Sequence, residues 1–170
     1  MKEELLDQID TTEAELLHIY ASLSQEQLNQ VPFKGSWTAG QVGEHLAKGC
    51  SVELLYGNTK PTERDPAIMI EPLRRLFLDF STKMNSPDFI YPQENHYQKE
   101  EMYKRLETTW KNIRHAANTL DLNPTCMDFE FPGTGMLTRF EWLSFMVIHT
   151  QRHLHQLRNI YSKVAGQAYP

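Results

Sequence analysis

Cysteine is scarce in this chain and forms no motif. Cys50 and Cys126 are the two present, with no C-x-x-C pairing, which excludes a disulfide framework and a cysteine-rich zinc site. Two reduced thiols are expected, Cys50 within a helix and Cys126 in a loop, in a cytoplasmic protein. Long apolar runs are missing too. No stretch approaches the ~20 residues that cross a bilayer. The start, Met1-Lys2-Glu3-Glu4-Leu5-Leu6, places charges inside a helical pattern and is expected to be helix rather than a secretion leader. Basic charge is also short, with 17 Lys and Arg against 22 Asp and Glu and a formal charge of -5. The one compact basic cluster, Leu73-Arg74-Arg75-Leu76, is too small for a nucleic-acid or anionic-membrane surface. Gly133-Thr134-Gly135 lacks both a preceding strand pattern and a following Gly-Lys, so it is no phosphate loop.

What is present suits a compact soluble fold. Hydrophobic residues make up 40% and charged residues 23% of 170, ordinary values for one globular domain spanning 1–170. From about 2 to 23, Leu5, Leu6, Ile9, Leu16, Leu17, Tyr20 and Leu23 recur at helical spacing. Ser24 is placed to cap a short turn over Gln25–Leu28 before Pro32. Thr38 with Gln41 makes a capping box for a second helix, and Gly57-Asn58 supplies its expected end. Gly43 and Gly49 within that helix each cost ~1 kcal/mol of intrinsic propensity, which implies close approach by a neighbour.

Between 59 and 95 the chain is interrupted by Pro61, Pro66, Pro72, Pro87 and Pro92. Pro72–Phe80 within it reads as a short helix. A third long helix is expected over about 98–120, with Met102, Leu106, Trp110, Ile113, Ala117 and Leu120 on one stripe. A loop then covers 121–137, in which Met127–Phe131 has the look of a brief extended piece with no partner. Thr138 and Glu141 form another capping box, opening a final helix to about Lys163. Four amphipathic helices and no convincing strand predict an all-α four-helix bundle, its long crossover between helices 2 and 3 carrying an extra short helix. Trp110 and Trp142 are expected in its core.

The chemistry sits on the histidines, of which there are seven. His149 and His153 are one turn apart on the final helix, a spacing that brings Cβ atoms to ~5–6 Å on one face. At ~100° per residue, His153 falls about 80° from Leu143, near the edge of the apolar stripe, and His149 about 40° further round. His45, in Glu44-His45-Leu46 on the second helix, lies at the edge of its own stripe. The three can therefore share a groove, leaving a metal coordination position open as catalytic sites do. The alternative, half-buried histidines bonded to neighbours, is the commoner fate of an isolated H-x-x-x-H pair, and spacing alone leaves both open. His155 is turned about 160° from His153 and faces solvent, as Arg152 is expected to. His18, His96 and His115 have no partner at ligand spacing. Gln156 is placed to orient an imidazole. Glu44 is turned about 100° from His45, a poor position for a general base.

Three stretches carry a family likeness. They are Trp37-Thr38 followed by His45-Leu46; Pro132-Gly133-Thr134-Gly135-Met136-Leu137-Thr138-Arg139-Phe140-Glu141-Trp142-Leu143; and His149-Thr150-Gln151-Arg152-His153-Leu154-His155-Gln156-Leu157. In combination the chain resembles the DinB superfamily of small bacterial helical proteins. The resemblance implies up-down-down-up helix order, a divalent metal held by His45, His149 and His153, and homodimers in many members. It also implies, for members with assigned activity, transferases and isomerases that use a low-molecular-weight thiol such as bacillithiol or mycothiol. Other members are described as metal-dependent hydrolases.

Three functions follow as expectations. The first is a thiol-dependent S-transferase acting on a small-molecule substrate, since a coordinated thiol is deprotonated and becomes the attacking group. Arg152 or Arg139 would then be candidates to recognise an acidic thiol cofactor. The second is a hydrolase that lowers the pKa of bound water, which ordinarily also needs a placed carboxylate. The third is a metal- or ligand-binding module without catalysis. Imidazole ligands suit zinc or nickel and also accept iron.

Overall fold

The computed structural model describes residues 1–169. Its helices are α1 (Lys2–Ser22), α2 (Gln25–Asn29), α3 (Ala39–Gly49), α4 (Ile70–Phe77), α5 (Lys99–Thr119) and α6 (Arg139–Ala165). A two-residue strand β1 (Thr59–Lys60) pairs antiparallel with β2 (Thr125–Cys126). Helix α1 packs on α5 and α6, and α3 packs on the same two. The described chain is thus mostly helical, with the expected apolar stripes turned inward. Leu5, Ile9, Leu16 and Tyr20 of α1 and Met102, Leu106, Trp110 and Ile113 of α5 are buried.

The two predicted capping boxes form at Thr38 and Thr138, and Ser24, expected as a simple cap, forms a third with Gln27. In the second, Thr38 Oγ1 accepts from the Gln41 amide at 3.1 Å and Gln41 Oε1 accepts from the Thr38 amide at 3.0 Å. Each box removes two unsatisfied donors from a helix start. Gly43 has the predicted reason to be glycine. A Cβ there would stand 2.6 Å from Met102 Sδ and 2.8 Å from Tyr20 Oη, so α3 approaches α1 and α5 more closely than any side chain permits.

Two expectations are corrected. Helix α3 stops at Gly49 rather than at Gly57, with Cys50 as its C-cap. A Glu53–Tyr56 3-10 turn then leads to Asn58, whose amide donates to Asp128 Oδ2 at 2.7 Å. Arg139 Nε donates to the Leu55 carbonyl at 2.7 Å, so α6 takes hold of the chain where the helix was expected to continue. The extended piece lies at Thr125–Cys126 instead of Met127–Phe131, and it does have a partner in Thr59–Lys60. Such pairing across some 65 residues leaves no local signal, because only tertiary packing brings the two strands together.

The start of the crossover is tied to α6 by Glu141. This carboxylate is fully buried. It accepts from Arg64 Nη1 and Nη2, each at 2.6 Å, and from the Met69 and Thr138 amides, each at 2.9 Å. The capping box of α6 and the anchor of the crossover therefore share one side chain, and α4 comes to lie against α6.

Candidate metal centre

The structure brings His45, His149 and His153 together and leaves the other four histidines apart. His45 Nε2 lies 3.0 Å from His149 Nε2, and His153 Nε2 lies 3.1 Å from that same atom. All three side chains are buried, at 3%, 5% and 9% exposure. The three ligand atoms fall within 4.8 Å of one another, and no carboxylate or thiol joins the cluster among the described residues.

The opposite ring nitrogens decide which atoms carry protons. His45 Nδ1 is 3.1 Å from the Ile90 carbonyl, which can only accept, so this nitrogen donates. His153 Nδ1 is 2.8 Å from Gln156 Oε1 and donates likewise. Both Nε2 atoms are then bare lone pairs facing His149. A neutral His149 has one proton, so its Nε2–H reaches at most one of them, and its buried Nδ1 has no partner at all. At least one buried lone pair is orphaned in every tautomer, a costly state in the absence of a cation. A proton is a poor cation here. Burial pushes the pKa of all three imidazoles down, with mutual repulsion adding to it for His149, and His153 falls to about 3. The donor set, three neutral nitrogens converging on one point, fits a divalent metal ion.

Aromatic rings fix the imidazoles from behind. Phe145 stacks on His149 at 5.3 Å and 12°, Phe77 meets it edge-on at 6.1 Å, and Trp37 lies 5.2 Å from His45. Gly49 completes the packing. A Cβ at that position would stand 3.2 Å from His149 Cε1, a tight approach of the kind the glycine implied.

Gln156 Oε1 lies against His153 Nδ1, a contact that can orient that imidazole. His18, His96, His115 and His155 are exposed, and His155 stacks on Phe80 at 4.1 Å. Arg152 departs from expectation, being half-buried rather than solvent-facing. Its guanidinium donates to the carbonyls of Phe77, Asp79 and Thr82 at 2.9, 3.0 and 2.6 Å. Arg139 is committed to the Leu55 and Asp121 carbonyls. Both guanidinium groups are thus occupied by backbone. The Ile90 carbonyl was illegible beforehand, since a backbone acceptor carries no residue-type signal.

Glu44 points away from the centre and holds the end of the crossover. It pairs with Lys48 at 2.6 Å and accepts from Tyr97 Oη at 2.5 Å and the Gln93 amide at 3.0 Å. Burial pushes its carboxyl pKa up, but the bonds from Lys48, Tyr97 and the Glu94 and Gln93 amides outweigh this and hold it at about 2. A carboxyl depressed in the fold stabilises above its unfolded value of 4.5 and loses that contribution as pH falls toward 2. At ~1.4 kcal/mol per pKa unit the loss is about 3 kcal/mol. In urea unfolding Glu44→Gln is expected to be less stable than the parent at pH 7, with the gap narrowing below pH 4.5 and closing only as pH reaches about 2. Parallel curves across that range would contradict this role.

The DinB superfamily profile matches residues 8–157, which takes in all three histidines. The chain belongs to the DinB superfamily. It is also similar to the uncharacterized protein YuaE of Bacillus subtilis (strain 168), 24% identical over 143 residues, which cover 84% of this chain and 88% of that protein. No solved structure matches the chain. No helix among the described residues is long and apolar enough to cross a membrane.

Proposed function

We propose that His45, His149 and His153 of this DinB-superfamily protein hold one divalent metal ion through their Nε2 atoms, and that the protein is a metal-dependent S-transferase using a low-molecular-weight thiol. The observation that carries the metal assignment is the orphaned lone pair: two donors with tautomers set by Ile90 and Gln156 face a third with no proton to satisfy both. Zinc or nickel suits this set best, and iron is compatible. We read residues 1–170 as one domain in which α1, α3, α5 and α6 form a four-helix bundle in up-down-down-up order, working in the cytoplasm as a homodimer.

A bound divalent ion would lower the pKa of a thiol reaching its open position. The protein's own residues supply the setting. Ile90 and Gln156 keep two imidazoles in the lone-pair-inward tautomer, while Trp37, Phe77 and Phe145 hold the rings in place. Two features bear on the choice of an exogenous thiol, the second of them disfavouring hydrolysis. One argues against a protein thiol as the attacking group: burial pushes the Cys50 thiol up to about 12 and the Cys126 thiol up to about 11, so an attacking thiol would have to be exogenous. Glu44, the carboxylate next in sequence to His45, is engaged by Tyr97 and Lys48 and does not face the centre.

Metal analysis of untagged protein, then a thiol panel with a generic electrophile, tests the proposal. One ion per chain and metal-dependent thiol conjugation are expected. Metal-dependent ester or amide cleavage without thiol would point to a hydrolase, and neither activity in the loaded protein would point to a binding module. Gln156→Leu is expected to weaken metal affinity by about 10–100-fold, the usual effect of losing the partner that orients a ligating imidazole. Competition with a chromophoric chelator measures it, and an unchanged affinity would remove Gln156 from the site.

A further inference from the structure

The three histidines lie under a segment of the crossover that is thinly anchored, with half-buried Phe77 and Leu78 packed on the core at its near end. Between Leu73 and Pro92 no side chain is buried, and Phe80, Phe89 and most of their neighbours are exposed. Yet this stretch closes over the centre. The Ile90 carbonyl takes the proton of His45 Nδ1, Ser86 Oγ stands 3.3 Å from that same nitrogen, and Phe77 meets His149 edge-on. With all three imidazoles buried, a small molecule cannot reach their Nε2 atoms without displacing something.

The segment is held down from both sides. At its far end Lys48 Nζ donates to the Tyr91 carbonyl at 3.0 Å, and Glu44 accepts from the Gln93 and Glu94 amides. At its near end the three carbonyl contacts of Arg152 gather the chain as it leaves α4. Arg152 sits on α6 between His149 and His153, so its backbone moves with the site while its side chain grips the cover. Segments with few buried apolar contacts open at lower free energy than the fold as a whole. Hydrogen bonds to a charged donor each shift such an opening by about tenfold or more.

We propose that residues 78–90 form a movable roof over the three-histidine centre and that Arg152 is its latch, a positioning residue that sets how often the centre opens. The functional consequence, gated access of metal and substrate, rests on the metal reading above; the roof itself does not.

The test uses the full chain, metal-free and metal-loaded, as parent, Arg152→Met and Arg139→Met. The Arg139 variant also frees two α6-gripped carbonyls, but away from the roof. In the metal-free chain, diethyl pyrocarbonate labelling resolved by peptide mass spectrometry is expected to modify His45 at least about tenfold faster in Arg152→Met. His18 should be unchanged, and Arg139→Met should match the parent at His45. In the loaded chain, extraction by excess chelator should accelerate to a similar extent in Arg152→Met alone. Equal His45 labelling in all three chains, or equal acceleration by both substitutions, would overturn the latch. Should Arg152→Met fail to fold, the parent decides. Local opening predicts His45 labelling nearly independent of low urea, whereas labelling that climbs with the full unfolding slope means no separate roof. A chain that takes up no metal would overturn the metal reading while the labelling still judges the roof.

Discussion

Metal addition is expected to raise the melting temperature of the parent chain by roughly 5–10 °C and to leave His149→Leu unmoved. His149 is the common neighbour of the other two, at 3.0 and 3.1 Å, so removing it leaves two separated nitrogens in place of a converging set. The magnitude follows from mass action. A ligand at 100 times its Kd stabilises by about 2.7 kcal/mol, and each kcal/mol is worth ~2–4 °C in a chain of this size. The metal-free variant is a second readout. Replacing His149 discards a buried ring nitrogen that has no partner, but it also removes the one N–H that could satisfy a facing lone pair and the stacking on Phe145, so the metal-free variant is expected to melt lower than the metal-free parent. Differential scanning calorimetry with and without zinc or nickel separates the two effects. A metal-induced shift that persists in His149→Leu would place the ion elsewhere.

Glu141→Ala is expected to destabilise the protein by about 3 kcal/mol or more, a fall of roughly 6–12 °C in melting temperature. The substitution strips the acceptor from the Arg64 guanidinium and from the Met69 and Thr138 amides at once. Leaving several donors unsatisfied costs far more than an exposed ion pair is worth. Glu141→Gln should recover only part of the loss, because an amide offers one accepting oxygen where the carboxylate offers two to Arg64. Urea denaturation of the three proteins at pH 7 measures it. A loss below about 1 kcal/mol for Glu141→Ala would mean that the crossover is anchored by other contacts.

These two effects bear on the same structural problem, which is how a crossover rich in proline is brought over a site made by two helices. Glu141 fixes where it begins and Glu44 fixes where it ends, each by accepting from backbone amides of the crossover. The stretch between them is gripped largely through its carbonyls, by Arg152, Lys48 and His45, with a few side-chain contacts such as Ser86 on His45 and Phe80 on His155. Carbonyl contacts of that kind are indifferent to side-chain identity.

The helices and the histidine face were legible because their causes are local. Capping boxes at Ser24, Thr38 and Thr138 satisfy donors three residues away, and the 3.6-residue period of α1, α5 and α6 declares which side is buried. The i, i+4 spacing of His149 and His153 puts them on one face whatever surrounds them. Even Gly43 and Gly49 announced a close approach, though not that Met102 and His149 would make it. Other features depend on residues far apart in the chain. Helix α3 ends at Gly49, and the chain beyond it is held by Arg139 at the Leu55 carbonyl, a contact spanning more than 80 positions. The pairing of Thr59–Lys60 with Thr125–Cys126, the turn of Arg152 toward the roof and the Ile90 carbonyl behind His45 are likewise long-range. Backbone carbonyls and amides are the same at every position, so no residue type marks which of them will be used; only packing chooses.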